Sequence, residues 1–378
     1  MSARLRVGVF AGGQSAEHEV SVASAAAILA AIDRDRFAPF LVYIDREGGW
    51  HLPTAEAAQL EGGALAAATG AGTIADASAR FRAGGAVANM TRVGDQSSAL
   101  AARAAVRSLA ETIDVAFLAI HGPFGEDGTL QGFLELAGVP YTGAGVAASA
   151  LAMDKVLFKD VMRGHGLPVV DYASFTRSAW AAAPMGTVER AIARFPDRSV
   201  VKPARLGSSI GMTLVHGPTE MPAALVEAFG WDAKVIVEAY VANARELECG
   251  ILGNEDPVVF EPGEVRSHRE FYDYEAKYLP GLADVLPRAE VTSGLASHLR
   301  DLTVRAYRAV DGAGMARVDF LVRGEEAWIS EMNTIPGFTV TSMFPKQAER
   351  AGIGFGELVS RLIDLGMAAD RRGRRGPA

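Results

Sequence analysis

The sequence predicts an α/β fold in its first third and an α+β fold in the remainder. Three observations carry this. Residues 5–45 run strand, helix, strand, the pattern of a parallel βαβ unit. Residues 199–204, 211–215, 235–241 and 246–252 are short apolar runs that read as successive strands. Residues 317–333 read as two strands folded back around Gly324 and Glu325.

Taken in order, residues 5–10 form a buried strand, residues 15–32 a helix and residues 40–45 a second strand. Residues 54–104 are rich in Ala and Gly with weak periodicity and read as an insertion of short elements. Residues 114–120 form another buried strand, followed by the turn-rich loop 121–128 and a helix over 129–137. This alternation predicts a doubly wound domain over 1–150 with a site at its strand C-termini. Helix signals begin near Met153 and Lys155 and run to Gly164. Residues 199–204 and 211–215 look like an antiparallel pair flanking the loop 205–211, and residues 235–241 and 246–252 supply further strands. Residues 264–284 are polar and aromatic and read as a long functional loop. A helix over 354–367 closes the fold. The expected division is a central domain over 151–235, a C-terminal domain over 236–368 and a disordered tail over 369–378.

The totals exclude several classes. A chain of 378 residues supports two or three domains with substantial cores. The net charge of −8 argues against a sequence-independent nucleic-acid binder. The single cysteine, Cys249, rules out an internal disulfide and suits a reducing cytoplasm. Its apolar neighbours Leu247 and Ile251 place it in a buried strand. No apolar run reaches 18 residues, so neither a membrane span nor a secretory signal is expected.

The hairpin carries the most chemistry. With paired positions summing to 650, Asp319 lies opposite Glu331 and Arg317 opposite Asn333, and all four point to one face. Val318, Phe320, Val322, Trp328 and Met332 then point to the core. Facing carboxylates repel. A hard divalent cation with oxygen ligands, such as magnesium carrying a nucleotide's phosphates, turns that repulsion into a site. The alternative is an ion-pair ladder in which Arg317 neutralises Asp319.

Other segments add to it. The loop from Gly207 through Ser208 and Ser209 to Gly211 offers open backbone amides to a phosphate, and Lys155 and Lys202 strengthen that reading. Lys202 can equally be a snorkelling edge residue. The pattern GxxxxGK[ST] is absent. The loop from Gly12 to Glu19 also lacks the dinucleotide glycine spacing, which opposes a dehydrogenase. Glu17 suits a ligand's ammonium group, while Glu19 reads as a helix-start residue. His121 either orients an anion or satisfies a backbone group. Glu126 and Asp127 read as loop-fixing acceptors. Gly337 can expose its amide, and Ser342 can bind a carboxylate.

Jointly, the segments GGQSAEHEVS, HGPFGEDGTLQGFLELAGVPYTG, MDK, VKPARLGSSIGM, FYDYEAKY, ARVDF and EMNTIPGFTVTSMFPK resemble the D-alanine–D-alanine ligases of the ATP-grasp family. The resemblance implies an N-terminal α/β domain followed by central and C-terminal antiparallel-sheet domains that clamp ATP. It implies that Lys155, Lys202, Ser208, Ser209 and Lys277 meet the phosphates. Glu238, Tyr240, Val241, Glu246 and Phe271 surround adenine and ribose, and Asp319, Glu331 and Asn333 hold magnesium. Two ions are implied, with manganese able to substitute. Arg317 and the Gly337 amide stabilise transition-state charge. Glu17 and His121 meet the first D-alanine, and Ser342 with Met343 receives the second carboxylate. Ser208 and Tyr278 link the lid to Glu17. The implied activity is ATP-dependent formation of D-alanyl-D-alanine for peptidoglycan, in a cytoplasmic homodimer with no nucleic-acid or membrane partner. The alternatives are a D-alanyl-D-serine or D-alanyl-D-lactate ligase and a non-catalytic ATP-binding protein. The sequence departs from the family at His18, often arginine, and at Leu206, often glutamate.

Overall fold

The computed structural model describes residues 4–53, 90–94, 109, 111–268, 283–339 and 341–373. The insertion, apart from 90–94, and the heart of the expected lid, including Phe271, Lys277 and Tyr278, lie outside the described residues.

The first sheet is built on β1 (Leu5–Gly12), β2 (Phe37–Ile44) and β5 (Val115–Leu118), with β1 central and parallel to both neighbours. Strands β3 (Trp50–Pro53) and β4 (Met90–Gly94) extend it antiparallel, giving the order β4-β3-β2-β1-β5. Both faces of β1 are covered, which explains its near-continuous apolar run. Helix α1 (His18–Ala31) lies against it, and its small residues Ser21, Ala25 and Ala26 are buried. Ser21 Oγ accepts from the Gly12 amide at 2.9 Å, fixing the turn between strand and helix. Helix α2 (Thr129–Ala137) starts and stops on Gly128 and Gly138, both left-handed.

Two helices follow, α3 (Val146–Met153) and α4 (Lys155–Gly164). Asp154 separates them and caps α4 by accepting from the Val156 and Leu157 amides at 3.1 and 3.2 Å. The second sheet is antiparallel, in the order β6-β9-β7-β8, from β6 (Tyr172–Thr176), β7 (Ser199–Pro203), β8 (Thr213–Val215) and β9 (Lys234–Ala239). Helices α5 (Arg177–Ala182), α6 (Pro184–Arg194) and α7 (Met221–Trp231) accompany it, and a shared core of Phe175, Val188, Val201, Leu225, Phe229 and Val237 joins sheet and helices.

The third sheet runs β13-β12-β10-β14-β15, with β11 (Val258–Val259) also on β10. Its strands are β10 (Arg245–Leu252), β12 (Gly263–Ser267), β13 (Ala283–Leu286), β14 (Met315–Arg323) and β15 (Glu326–Asn333). Helix α8 (Ser293–Ala309), capped by Thr292, covers one face through Leu295, Leu299, Leu302 and Ala306. Phe158 and Met162 of α4 join the same core. Helices α9 (Met343–Arg350) and α10 (Phe355–Gly373) turn back to the first sheet, where Phe344, Leu358 and Leu362 pack with Phe10, Phe37 and Phe117.

Several expectations need correction. The boundary at 235/236 cuts β9, which pairs with β6 and β7. Helix α4 serves the third sheet's core, and the end of the chain serves the first. The closing helix reaches Gly373, so the expected tail is helical at its start. The ends of the 264–284 segment are paired strands, Ser267 opposite Ala283, because Gly263 and Val265 bury inward beside β10. Near its turn the hairpin pairs sum to 649, as in Phe320 with Ile329; a bulge then restores 650 at Asp319 with Glu331. The extra residue is Ser330, and it reverses the facing of the outer β15 residues. Trp328 consequently lies beside Leu321 on the polar side, under the Arg323 guanidinium, while Ala327 and Ile329 take the core positions.

Candidate active site

The strand C-termini of the first sheet, the glycine–serine loop of the second and the polar face of the β14–β15 hairpin meet around a cleft of about 1000 Å³. His121, just past β5, is buried. Its Nδ1 lies 3.0 Å from the Ile335 carbonyl oxygen and its Nε2 3.4 Å from Ser24 Oγ. A carbonyl can only accept, so Nδ1 carries the proton. Burial lowers the imidazole pKa and Arg317 adds to this; Glu17 and the carbonyl oppose it. Glu126 accepts from the Gly122 amide at 2.7 Å and the Ile335 amide at 3.3 Å. Burial, reinforced by Glu17, pushes its carboxyl up to about 8.

Ser208 and Ser209 are both left-handed, with φ of 52° and 57°. That conformation is strained for non-glycine residues and marks a loop shaped by its contacts. Ser208 Oγ donates to Glu17 Oε1, joining this loop to the first sheet. Gly207 permits the approach, since a Cβ there would sit 3.0 Å from Glu17 Oε2. Lys155 Nζ donates to the Leu206 carbonyl at 2.7 Å and lies 3.2 Å from Glu331 Oε2. Arg205 grips Asp232 bidentately, at 2.5 and 3.2 Å, and fixes the base of the loop.

Lys202 is buried on an interior strand with Nζ 2.6 Å from Glu238 Oε2. Lys159 Nζ approaches the other oxygen at 3.1 Å. Burial alone would raise the Glu238 pKa, but the two ammoniums pull it down to about 2. Burial depresses Lys159; Lys202 is raised because Glu238, Glu331 and Glu246 outweigh its burial. Arg198 stacks 4.3 Å over the Tyr240 ring at the same wall.

On the hairpin face, Arg317 donates to both oxygens of Asp319 at 2.7 Å, and its Nε lies 3.2 Å from Glu248 Oε2. Despite burial, Asp319, Glu248 and Glu331 raise the guanidinium pKa well above its ordinary value. Asn333 Nδ2 donates to Asp319 Oδ2 at 3.0 Å. The registers set Glu248, Asp319 and Glu331 in a row across β10, β14 and β15. At the far end, Ser342 precedes α9, and its Oγ accepts from the Thr339 amide at 3.1 Å. Gly337 faces that hydroxyl, where a Cβ would come within 2.9 Å.

Residues 6–144 match the D-ala D-ala ligase N-terminus, and residues 161–364 match the D-ala D-ala ligase C-terminus. The chain belongs to the D-alanine–D-alanine ligase family. A D-alanine–D-alanine ligase from Chlorobaculum tepidum is 41% identical over 365 residues, 96% of each chain. The solved D-alanine–D-alanine ligase from Coxiella burnetii matches at 30% identity with a TM-score of 0.77, covering 97% of this chain and 95% of that one. A D-Ala:D-Ser ligase from Enterococcus faecalis matches at 29% identity and 0.78, covering 96% and 100%. The ATP-grasp fold expected from the sequence is therefore the fold of this chain.

In this member of the ligase family, the expected site residues that are described come together. Glu17, His121, Lys155, Lys202, Ser208, Ser209, Glu238, Tyr240, Val241, Glu246, Arg317, Asp319, Glu331, Asn333, Gly337, Ser342 and Met343 all line the one cleft. Lys202 is not an edge residue. His121 does satisfy a backbone group, but one distant in sequence and inside the cleft. The ion-pair ladder forms as well, with Arg317 on Asp319. Glu126 and Asp127 fix their loop, as Asp127 accepts from the Phe124 and Thr129 amides. Glu19 pairs with Arg46 at 2.9 Å, and His18 bonds the Gly13 carbonyl and the Tyr43 hydroxyl. Cys249 is buried, and burial pushes its thiol to about 12.

Sequence reasoning missed Lys159, Arg198 and Glu248. Glu248 alternates with Glu246 along β10, and that period-2 signal could have found it. For a cation, two carboxylates and an amide on one face form an all-oxygen donor set that fits magnesium. Among the described residues no group of three His, Cys, Asp or Glu side chains is drawn together as a ready metal site.

Proposed function

We propose that this protein joins two D-alanine molecules with cleavage of ATP to ADP and phosphate, supplying D-alanyl-D-alanine for peptidoglycan precursors. The observation that supports this best is the Ser208–Glu17 bond, which brings the phosphate-type loop and an ammonium-type acceptor into one cleft with Arg317 and Ser342.

A carboxylate resists amine attack because it is anionic and has no good leaving group. Transfer of the γ-phosphoryl group to a carboxylate oxygen, breaking the bond to ADP, corrects both faults. Attack by the second D-alanine's neutral amine then forms the C–N bond, expels phosphate and releases one proton from the amine nitrogen. Lys155, Lys202, Ser209 and the loop amides hold the phosphates, and Glu238, Tyr240, Val241 and Glu246 hold the nucleoside. Arg317 and the Gly337 amide offset charge where it develops. Glu17 takes the first ammonium group, His121 meets its carboxylate, and Ser342 with the start of α9 at Met343 takes the second carboxylate. Asp319, Glu331 and Asn333 would hold magnesium, one or two ions with manganese as a substitute, which supplies charge neutralisation to the phosphates. Phe271, Lys277 and Tyr278 keep the roles implied by resemblance. A cytoplasmic homodimer completes the proposal. Among the described residues no helix is long and apolar enough to cross a membrane.

Mass detection of D-alanyl-D-alanine and ADP after mixing protein, ATP, magnesium and D-alanine tests the reading; ADP release without dipeptide overturns it. The structural likeness to a D-Ala:D-Ser ligase favours one second reading. Competition between D-alanine and D-serine as acceptor separates the two, with preferential D-serine product supporting the second.

A further inference from the structure

Lys159 belongs to none of the sequence motifs and to none of the roles above. It follows Lys155 by four residues, one helical turn on α4. Its side chain is completely buried, and it does not line the cleft. Beyond Glu238 Oε1, no hydrogen-bond acceptor engages its Nζ among the described residues. Lys202 shares the same carboxylate but does line the cleft. One ammonium is thus reachable by an anion and the other is not.

Burying an ammonium is costly, and an apolar side chain of similar length would fill the same space without that cost. Its presence there calls for a physical reason. In the empty cleft either lysine alone would neutralise Glu238. The second becomes necessary only if the first leaves.

We propose that Lys159 is a positioning residue of the nucleotide pocket: it stays on Glu238 and keeps that carboxylate charged and oriented while Lys202 turns to a phosphate. This rests on the nucleotide reading given above. Without Lys159, release of Lys202 would strand a buried carboxylate, which then takes a proton and loses half its capacity to accept from a base's amino group. The charged groups around Glu238 are Lys159 from α4 and Lys202 from β7, with Glu331 from β15 and Glu246 from β10 acting on those lysines. Tyr172 pairs with Glu238 across β6 and β9, its hydroxyl held by Asp160.

The test uses the full chain carrying Lys159→Met, with steady-state kinetics and calorimetric ADP binding from pH 5 to pH 8. The KM for ATP should rise by roughly tenfold or more, the scale of one lost charge-assisted hydrogen bond, while kcat and the D-alanine KM hold. Nucleotide affinity should also weaken as pH falls toward 5, a limb absent from the unsubstituted protein. The double variant Lys159→Met/Glu238→Gln removes the titrating carboxylate and leaves Lys202, which lines the cleft, as the one remaining charge of the three; it should show weakened binding without the acid limb. An unchanged ATP KM in the single variant overturns the inference, as does an equal rise for ATP and D-alanine with no acid limb. If the single variant does not fold, a double variant that also fails, or that binds ADP normally, overturns it. An unsubstituted protein that binds neither ATP nor ADP sinks the nucleotide reading itself.

Discussion

Arg317 clasps Asp319 from two residues away on the same strand, with both N–H···O distances at 2.7 Å. The same guanidinium reaches Glu248 on the neighbouring strand. One cation therefore balances two carboxylates of the row that crosses the third sheet. Arg317→Met should cost roughly 3–5 kcal/mol of stability, the usual result of stranding buried charge. Ligation should fall by about 10²–10³, the scale for losing a charge-stabilising donor. Denaturant titration and turnover on one preparation check both.

Glu331 faces Asp319 and also pairs with Lys155, so it joins the hairpin to α4. Glu331→Gln keeps the shape and removes one anionic donor. Ligation should be abolished at any magnesium concentration, with the thermal midpoint moved only slightly. Near-normal turnover would overturn the metal assignment.

Ser208→Ala removes the bond to Glu17 and leaves the backbone free of new contacts. Hydrogen bonds to charged groups contribute about 1.5–3 kcal/mol. The KM for the first D-alanine should therefore rise about 10- to 100-fold, with ADP binding little changed. Initial rates over a D-alanine series, beside ADP calorimetry, give the split.

Glu126 offers a stability test through pH. Its folded carboxyl titrates near 8, above the ordinary 4.5. Between those values the folded state binds more protons than the unfolded one, so stability falls as pH rises. The slope from this group approaches about 1.4 kcal/mol per pH unit. Glu126→Gln should lose that slope, which urea midpoints at pH 5, 6, 7 and 8 would reveal.

Much of this site was legible because strand alternation is simple. A period of two is enough to put Arg317, Asp319, Glu331 and Asn333 on one face. The turn and the bulge shift the register in opposite senses, and this kept the pairing right while misplacing Trp328. A bulge is one extra residue in one strand and leaves little trace in composition. The βαβ opening was equally readable, since buried parallel strands are apolar throughout. Helix α8 went unread despite its Thr292 cap and the spacing of Leu295, Leu299 and Leu302. Lys159 and Glu248 were hidden for another reason: a buried charge is recognised by its partner, and theirs, Glu238 on β9 and Arg317 on β14, lie some 70 to 80 residues away along the chain.

The chain's last helices complete the core of its first sheet, with Leu358 and Leu362 resting among Phe10 and Phe117. During synthesis, then, the opening segment leaves the ribosome with one oily flank bare. It stays so until Leu358 and Leu362 follow. A copy lacking those helices should expose that flank and stick to its neighbours.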